Sequence, residues 1–340
     1  MSYAITLTTQ DGKQLEFVCA PEQNIQDAAE AAGFYLPAAC NVGSCGSCLG
    51  RCIRGDYRLE SYTPSLLPAN PKEHGDVLLC RTYPNSDLQL TTFYTAAQIG
   101  SSQQVAREAE IIRVELIAER TMLLALKLFP DAQNSVAFEF EPGQFVDLEV
   151  PELQLKRAYS IASTPNWDGR LDFLIRLQPH GQFSTYLETA QVGQHLMVQG
   201  PAGSFGVQGK GFKPRCFVAG GTGLAPFLSI LQRMAEWGED HPTHLFLGVN
   251  NEREIFYKDE LETLADALPQ LKVVICVWQP SEKWKGFRGT PADALKAHLE
   301  TAKMMPDVFL CGPPLLLEAA TQVALATGVS SERIFSESFG

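Results

Sequence analysis

Cys40-Asn41-Val42-Gly43-Ser44-Cys45-Gly46-Ser47-Cys48, completed by Cys80, is the stretch that sets the reading of the chain. Four thiols at C-x4-C-x2-C…C match the plant-type spacing that holds a [2Fe–2S] cluster. Gly43 and Gly46 suit such a loop, because a chain wrapping a cluster needs unusual φ values and close backbone approach. Backbone N–H groups there can donate to cluster sulfurs. The competing readings are zinc and scattered core thiols. Zinc sites favour paired C-x2-C hooks, and only one such pair is present. Cys40, Cys45, Cys48 and Cys80 are therefore the metal candidates. Cys52 falls outside the pattern and reads as a buried thiol. Cys19, Cys216 and Cys276 sit in apolar strand patterns and read as core.

Outward from that loop, residues 1–97 form a first unit. Residues 3–8 and 13–19 read as a hairpin around Asp11-Gly12. Asn24 caps a short helix over 25–32 that Gly33 ends. Residues 76–81 read as a strand presenting Cys80. Residues 98–107, containing Gly100-Ser101-Ser102-Gln103-Gln104, are short and polar and read as a linker. Residues 108–208 then carry six short strands, at 110–118, 122–129, 144–150, 158–162, 171–177 and 195–198. Gly and Pro punctuate them and one helix, 184–190, interrupts them, which predicts a small antiparallel barrel. Residues 209–340 alternate strands and helices, with apolar strands at 215–219, 244–249, 271–277 and 307–310 and a further strand at 333–336. That alternation predicts a doubly wound parallel sheet.

Composition narrows the function classes. The 340 residues are long enough for two or three domains, each with its own core. The net charge of −12 argues against non-specific nucleic-acid binding, which needs clustered cations to displace counterions. It suits docking to a basic protein partner. The first residues alternate like a strand and carry no basic segment followed by an apolar run, and no stretch approaches 18 uninterrupted apolar residues. The expectation is a cytoplasmic protein with no nucleic-acid partner and no membrane span. The nine cysteines then read as ligands or buried thiols, not as a disulfide framework.

Two further motifs carry chemistry. Gly220-Gly221-Thr222-Gly223-Leu224-Ala225-Pro226 follows the first strand of the α/β segment and opens a helix. Such a turn lets backbone N–H groups approach a pyrophosphate at the positive helix end. Alone it is also a tight turn needing φ > 0, and it is not the full GxGxxG fingerprint. Cys311-Gly312-Pro313-Pro314 follows the fourth strand, and ligands of open α/β sheets sit beyond the carboxyl ends of strands. This places Cys311 beside the same crevice, although Gly and Pro also start helices and Cys is a common small core residue. In the barrel, Arg157-Ala158-Tyr159-Ser160 combines a cation, an aromatic plane and a hydroxyl, and Gly181-Gln182-Phe183-Ser184 opens a short helix. By composition alone the former is an ordinary strand.

Taken together the motifs resemble a family, over essentially the whole chain: the three-domain reductases of soluble bacterial multicomponent oxygenases. In these a plant-type ferredoxin is fused to a ferredoxin–NADP reductase-like flavoprotein. The resemblance rests on the four cysteines, Pro142-Gly143-Gln144-Phe145, Arg157 to Ser160, and Gly200-Pro201-Ala202-Gly203-Ser204-Phe205. It continues through Gly220 to Pro226, Cys311 to Pro314 and the terminal Glu337-Ser338-Phe339. Gly55-Asp56-Tyr57, Leu79 to Pro84, and Trp284-Lys285-Gly286 with Pro291 to Leu295 look most like reductases of soluble methane, alkane or phenol monooxygenases. Reductases of Rieske ring-hydroxylating dioxygenases share the architecture and are the alternative.

The resemblance implies a multidomain α+β protein. Its parts would be a β-grasp [2Fe–2S] ferredoxin, a six-stranded antiparallel FAD-binding barrel and an α/β doubly wound parallel-sheet NAD domain. It implies that Arg157 binds the FAD pyrophosphate, with Ala158 beside it, that Tyr159 packs on the isoalloxazine and that Ser160 approaches N5. Gly181 and Ser184 would sit at FAD phosphates, and Gly221, Thr222 and Gly223 at NADH phosphates. Cys311 would lie near the nicotinamide, with Glu337 and Phe339 at the flavin from the C-terminus. Ser160, Cys311 and Glu337 are the catalytic candidates. Electrons would pass from NADH to FAD to [2Fe–2S] and on to the hydroxylase of a diiron monooxygenase. NADH is expected over NADPH, because Arg253 is the one cation in Gly248-Val249-Asn250-Asn251-Glu252-Arg253. Asn41 and Ser44 depart from the family's pattern in the cysteine loop, and Ser338 replaces a basic residue.

Overall fold

A computed structural model describes residues 2–37, 43, 46, 48–62, 66–68, 70–96, 99, 106–203, 205–207, 211 and 213–338. Cys40, Asn41, Ser44, Cys45 and Phe339 lie outside the described residues, as do 97–98 and 100–105 of the expected first-unit end and linker. The chain divides into two compact units. One is Met1–Gln104 with Ala202–Ser204 and Ser338–Gly340, and the other is Val105–Pro201 with Phe205–Glu337.

The first unit begins with the hairpin β1 (Tyr3–Thr8) and β2 (Gln14–Cys19). Its register runs Tyr3↔Cys19 to Thr8↔Gln14 around Gly12, whose φ is +84°. Leu15, Phe17 and Cys19 alternate inward, so every second side chain of β2 enters the core. Helix α1 (Ile25–Ala31) starts where the Asn24 side chain accepts from the Asp27 N–H at 2.8 Å. Then follow β3 (Leu49–Arg54), β4 (Tyr57–Leu59), α2 (Pro71–His74), β5 (Asp76–Leu78), β6 (Thr82–Pro84) and β7 (Leu88–Thr92). Among the described residues, the main sheet has the order β2-β1-β7-β3-β5, with β1 and β7 parallel and antiparallel pairing outside them. Ile25, Ala28 and Ala29 of α1 pack with Ile5, Leu7, Leu88 and Leu90 of the sheet. A helix laid over a mixed sheet with a central parallel pair is the expected β-grasp.

One expectation is corrected here. Residues 76–81 do not continue as a strand. The strand stops at Leu78, and Leu79–Arg81 form a single 3-10 turn carrying Cys80. The Thr82 N–H closes the turn on Leu79 O, and the Thr82 hydroxyl donates to Leu78 O at 2.7 Å. These bonds satisfy carbonyls that the ladder would otherwise use, and they leave Cys80 buried.

The second unit opens with β8 (Arg107–Ala118), β9 (Thr121–Leu128), β10 (Phe145–Val150), β11 (Leu155–Ser160), β12 (Arg170–Arg176), α3 (Gln182–Thr189) and β13 (His195–Ala202). Among the described residues six strands order as β11-β10-β13-β8-β9-β12. The Ala162 N–H donates to Asp172 O at 2.8 Å, so the chain leaving β11 meets β12 and joins the two ends of the sheet. The interior holds Leu124, Leu126, Val146, Leu148, Ile161, Phe173 and Val198, and Phe183 and Leu187 of α3 pack into the same core.

The remainder is β14 (Arg215–Gly220), α4 (Leu224–Trp237), β15 (Thr243–Val249), α5 (Lys258–Ala267), β16 (Leu271–Val277), β17 (Phe287–Arg288), α6 (Pro291–Leu299), β18 (Asp307–Gly312), α7 (Pro314–Ala326) and β19 (Ile334–Ser338). The sheet order is β17-β16-β15-β14-β18-β19, and the pairs from β17 to β18 are parallel. β18 is buried along its whole length, as a parallel strand covered on both faces must be. One face packs Phe217 and Phe309 against Phe227 of α4, with the Phe217 and Phe227 rings stacked at 4.8 Å. The other packs Val218, Cys276, Val308 and Leu310 against Ala292 and Leu295 of α6 and Leu317 and Ala320 of α7. No helix among the described residues is long and apolar enough to cross a membrane.

Candidate functional site

In the first unit two of the four metal candidates are described, and they converge. Cys48 leads into β3 and Cys80 sits in the turn after β5. The Leu79 N–H donates to Cys48 O at 3.0 Å, tying the two segments together. The two Sγ atoms are 3.2 Å apart and both residues are 1% exposed. That separation is far beyond a disulfide bond of about 2.05 Å, so the two sulfurs are not cross-linked to each other. Two buried soft thiols aimed at one point suit thiolate-ligated iron or zinc. Gly43 and Gly46 adopt φ of +76° and +77°. A Cβ on Gly43 would lie 2.7 Å from Arg81 Cγ and 2.9 Å from Tyr62 Cβ, so the loop passes too close for a side chain. The donor set fits the cluster. Cys52 is only half-buried, and burial raises its thiol above the ordinary range. Cys216 and Cys276 are core residues of the parallel sheet and Cys19 a core residue of the first unit.

In the second unit, Arg157, Ala158, Tyr159 and Ser160 lie along the last four positions of β11. Arg157 is exposed, and among the described residues no carboxylate pairs with it. Tyr159 packs its ring 5.0 Å from Phe183 of α3, and burial pushes its phenol up, so it is neutral. Ser160 is buried and its hydroxyl donates to Glu337 Oε2 at 3.1 Å. Burial pushes the Glu337 carboxyl up to about 7, against the opposing pull of the Ser160 hydrogen bond. Cys311 is fully buried, and burial together with the nearby Glu337 raises its thiol well above the ordinary value. It is a neutral S–H at physiological pH. Gly181 is the N-cap of α3, and the Ser184 hydroxyl accepts from the Gln178 N–H at 2.8 Å. Ser184 therefore shapes the loop before α3 as well as lying at its first turn.

The glycine turn is built by close approach. Gly221–Gly223 form a 3-10 turn between β14 and α4. A Cβ on Gly223 would lie 2.2 Å from the carbonyl oxygen of Cys311, so the turn rests directly on the end of β18. Thr222 is buried. Gly221, Thr222, Gly223 and Cys311 are thus brought together at the carboxyl ends of two adjacent strands. A phosphate-sized ligand meets backbone N–H groups and a helix start there, and a nicotinamide dinucleotide fits that donor set.

Sequence reasoning missed a polar bridge beside this turn. Arg176, the last residue of β12, places Nη1 3.4 Å from where a Gly221 Cβ would stand. Its Nη2 lies 3.4 Å from Glu254 Oε1. Glu254 is buried and accepts from Asn250 Nδ2 at 2.9 Å and from the Asn250 N–H at 3.2 Å. Burial alone would raise Glu254, but the Asn250 and Arg176 contacts outweigh it and hold the carboxyl low. The signal available was an arginine ending an apolar barrel strand and an acid four residues after Asn250. Nothing local in the sequence connected the two.

A cysteine site, a buried pair of Ser160 at the end of a barrel strand with Glu337 of the last strand, and a glycine turn on a parallel sheet together define an iron–sulfur flavoprotein oxidoreductase. Three domain families match in that order: the 2Fe-2S iron-sulfur cluster binding domain over residues 8–85, the oxidoreductase FAD-binding domain over 108–206 and the oxidoreductase NAD-binding domain over 217–322. Methane monooxygenase component C of Methylosinus trichosporium is 39% identical over 88% of this chain and 87% of its own. The anthranilate 1,2-dioxygenase electron transfer component of Acinetobacter baylyi is 32% identical over 100% of this chain and 98% of its own. The crystal structure of a cytochrome P450 reductase from Amycolatopsis superposes with a TM-score of 0.77 at 25% identity, covering 98% of each chain. The chain belongs to the family of ferredoxin-fused, FAD- and NAD-binding electron-transfer reductases of multicomponent oxygenases.

Proposed function

We propose that this reductase carries electrons from NADH to the hydroxylase of a soluble diiron monooxygenase of the methane, alkane or phenol type. The observation that carries this reading is the 39% identity over 88% of the chain to a methane monooxygenase component. The 32% identity to a dioxygenase component supports the second reading, service to a Rieske oxygenase. Reconstitution distinguishes them. NADH oxidation should couple to hydroxylation with a diiron hydroxylase and run uncoupled with a Rieske oxygenase; the reverse result would reject the diiron assignment.

The residue roles follow from chemistry. Cys40, Cys45, Cys48 and Cys80 would hold the cluster. Arg157 would meet the FAD pyrophosphate, its guanidinium suited to phosphate, with Ala158 in the same strand. Gly181 and Ser184 would sit at the same FAD phosphates, while Tyr159 offers a neutral aromatic face to the ring system. When bound, the flavin takes the electron pair of a hydride and releases electrons singly, as a one-electron centre requires. Ser160 orients Glu337 by donating to it, and Glu337 can hold or release a proton near neutral pH. Gly221, Thr222 and Gly223 would receive the NADH phosphates, and Cys311 backs that turn as an uncharged wall. Phe339 would complete the flavin side. NADH is favoured over NADPH because Arg253 is ion-paired with Glu119 at 3.2 Å. The organisation that accompanies this reading is ferredoxin 1–97, linker 98–107, flavin module 108–208 and nucleotide module 209–340.

A further inference from the structure

Trp278 follows directly on the last residue of β16. It is 60% exposed, a large apolar face left in water. Its placement is fixed by the backbone. The Trp278 N–H donates to Val249 O at 3.1 Å and the Gln279 N–H to Asn250 O at 2.8 Å, so the β15–β16 ladder continues past the strands. The loop that follows is stapled. Arg288 Nη2 donates to the carbonyls of Ser281, Glu282 and Trp284 at 2.9, 3.1 and 3.0 Å. The Ser281 N–H donates to Glu252 Oε1 at 2.8 Å, and Trp284 Nε1 to Phe287 O at 3.1 Å. A loop with this many internal bonds is built before any ligand arrives, so ordering it costs little on binding.

The position relative to the sheet is informative. Residues 276 and 278 share a face by strand alternation. On that face Cys276 is buried with Ala292 and Leu295 of α6. The cover begins at Pro291, which presses on Gly248, where a Cβ would lie 2.3 Å from Pro291 Cγ. Beyond that point the face opens, and Trp278 stands there. The glycine turn lies at the end of β14, and β16 is the second strand along, about 9–10 Å away by strand spacing. A dinucleotide whose pyrophosphate sits on the turn can lay its adenosine across the carboxyl ends of β15 and β16.

We propose that Trp278 is the stacking platform for the adenine of the dinucleotide. The inference rests on the nucleotide reading of the Gly221–Gly223 turn. Base–aromatic stacking needs a rigid, exposed ring and little else, and Trp278 supplies that ring. The adenosine end would then contribute binding that is the same before and during reaction, which lowers KM without altering kcat.

The test uses the full-length holoprotein with ferricyanide as electron acceptor. Trp278→Ala should raise KM for NADH by about 5- to 150-fold, the range that stacking of one base supplies, with kcat held. KM for NMNH, which lacks the adenosine, should stay at the wild-type value. Trp278→Phe should keep most of the NADH affinity, and AMP should quench indole fluorescence in the wild type but much less in Trp278→Phe. An unchanged NADH KM in Trp278→Ala, or an equal rise for NADH and NMNH, would overturn the proposal. If wild-type protein oxidised no NADH, the functional reading would fail instead, and AMP quenching would still decide the role of Trp278.

Discussion

The Ser160 hydroxyl donates to the Glu337 carboxylate at 3.1 Å although 177 positions separate them in sequence. This bond joins the end of a barrel strand to the last strand of the parallel sheet. It surrounds an ionisable acid with apolar neighbours and one donor. With a folded pKa raised to about 7 from an ordinary 4.5, Glu337 keeps its proton in the native state over a range where the unfolded chain has lost it. Folded protein then binds more protons than unfolded, so stability falls as pH rises from about 4.5 to about 7, by up to about 1.4 kcal/mol per pH unit. Glu337→Gln removes this dependence. Thermal unfolding of the two proteins between pH 5 and 8 measures it, and parallel curves would contradict the assignment.

Ser160→Ala leaves the Glu337 carboxyl buried with its donor gone. Losing a hydrogen bond to a buried partner costs about 1–3 kcal/mol, and the carboxyl rises further. NADH-driven flavin reduction should slow while flavin content per chain is unchanged. Stopped-flow traces matching wild type would remove Ser160 from the reaction.

Gly221 and Gly223 make opposite predictions from one short turn. Gly223 has an ordinary φ of −59°, yet a Cβ there would stand 2.2 Å from the Cys311 carbonyl oxygen. Gly221 has φ +53° but an added Cβ would meet, among the described residues, only the far end of the Arg176 side chain, Nη1, at 3.4 Å. Gly223→Ala must push two strand ends apart, an overpacking cost of about 1–3 kcal/mol or more. Gly221→Ala carries only left-handed strain of about 1–2 kcal/mol. NADH affinity should collapse in Gly223→Ala and survive in weakened form in Gly221→Ala. Equal behaviour would mean the turn does not depend on its contact with β18.

Cys48 and Cys80 bring their sulfurs within 3.2 Å in the first unit, while Arg157 to Ser160, Glu337 and the Gly221–Gly223 turn belong to the second unit. Replacing Cys80 by Ser should therefore abolish bound iron and the visible cluster absorbance. NADH-driven reduction of bound flavin should persist near the wild-type rate. Loss of flavin reduction together with iron would show that the two units do not act separately.

Much of this was legible before any coordinates. The cysteine spacing, the period-2 strands of the barrel and the strand–helix alternation of the last third each rest on local pattern, and the barrel strands and the parallel sheet formed as expected. What the sequence could not carry was contact between distant segments. Ser160 with Glu337 and Arg176 with Glu254 depend on the barrel and the sheet packing as one unit. The strand expected to present Cys80 failed for a related reason. Its apolar run reads as extended, but Thr82 competes for the backbone carbonyls and turns the chain three residues early. Trp278 was invisible as a site because a lone aromatic just past a strand carries no motif, and its exposure is what singles it out.

The region after β15 is expected to discriminate NADH from NADPH. A 2′-phosphate there would meet Glu252, which hydrogen bonding from Ser281 holds below the ordinary carboxyl range, and Glu254, held low by Asn250 and Arg176. Arg253 stands between them, but its Nε lies 3.2 Å from Glu119 Oε2. The phosphate thus encounters two carboxylates and a cation already engaged. Discrimination of at least about tenfold in kcat/KM for NADH is expected, the ~1.4 kcal/mol that one unfavourable charge contact supplies in an accessible site. Glu119→Ala releases Arg253 and should move the ratio toward NADPH, more strongly at low ionic strength because screening weakens the effect at high salt. A ratio that ignores both the substitution and the salt would show that Arg253 lies outside the reach of the 2′ position.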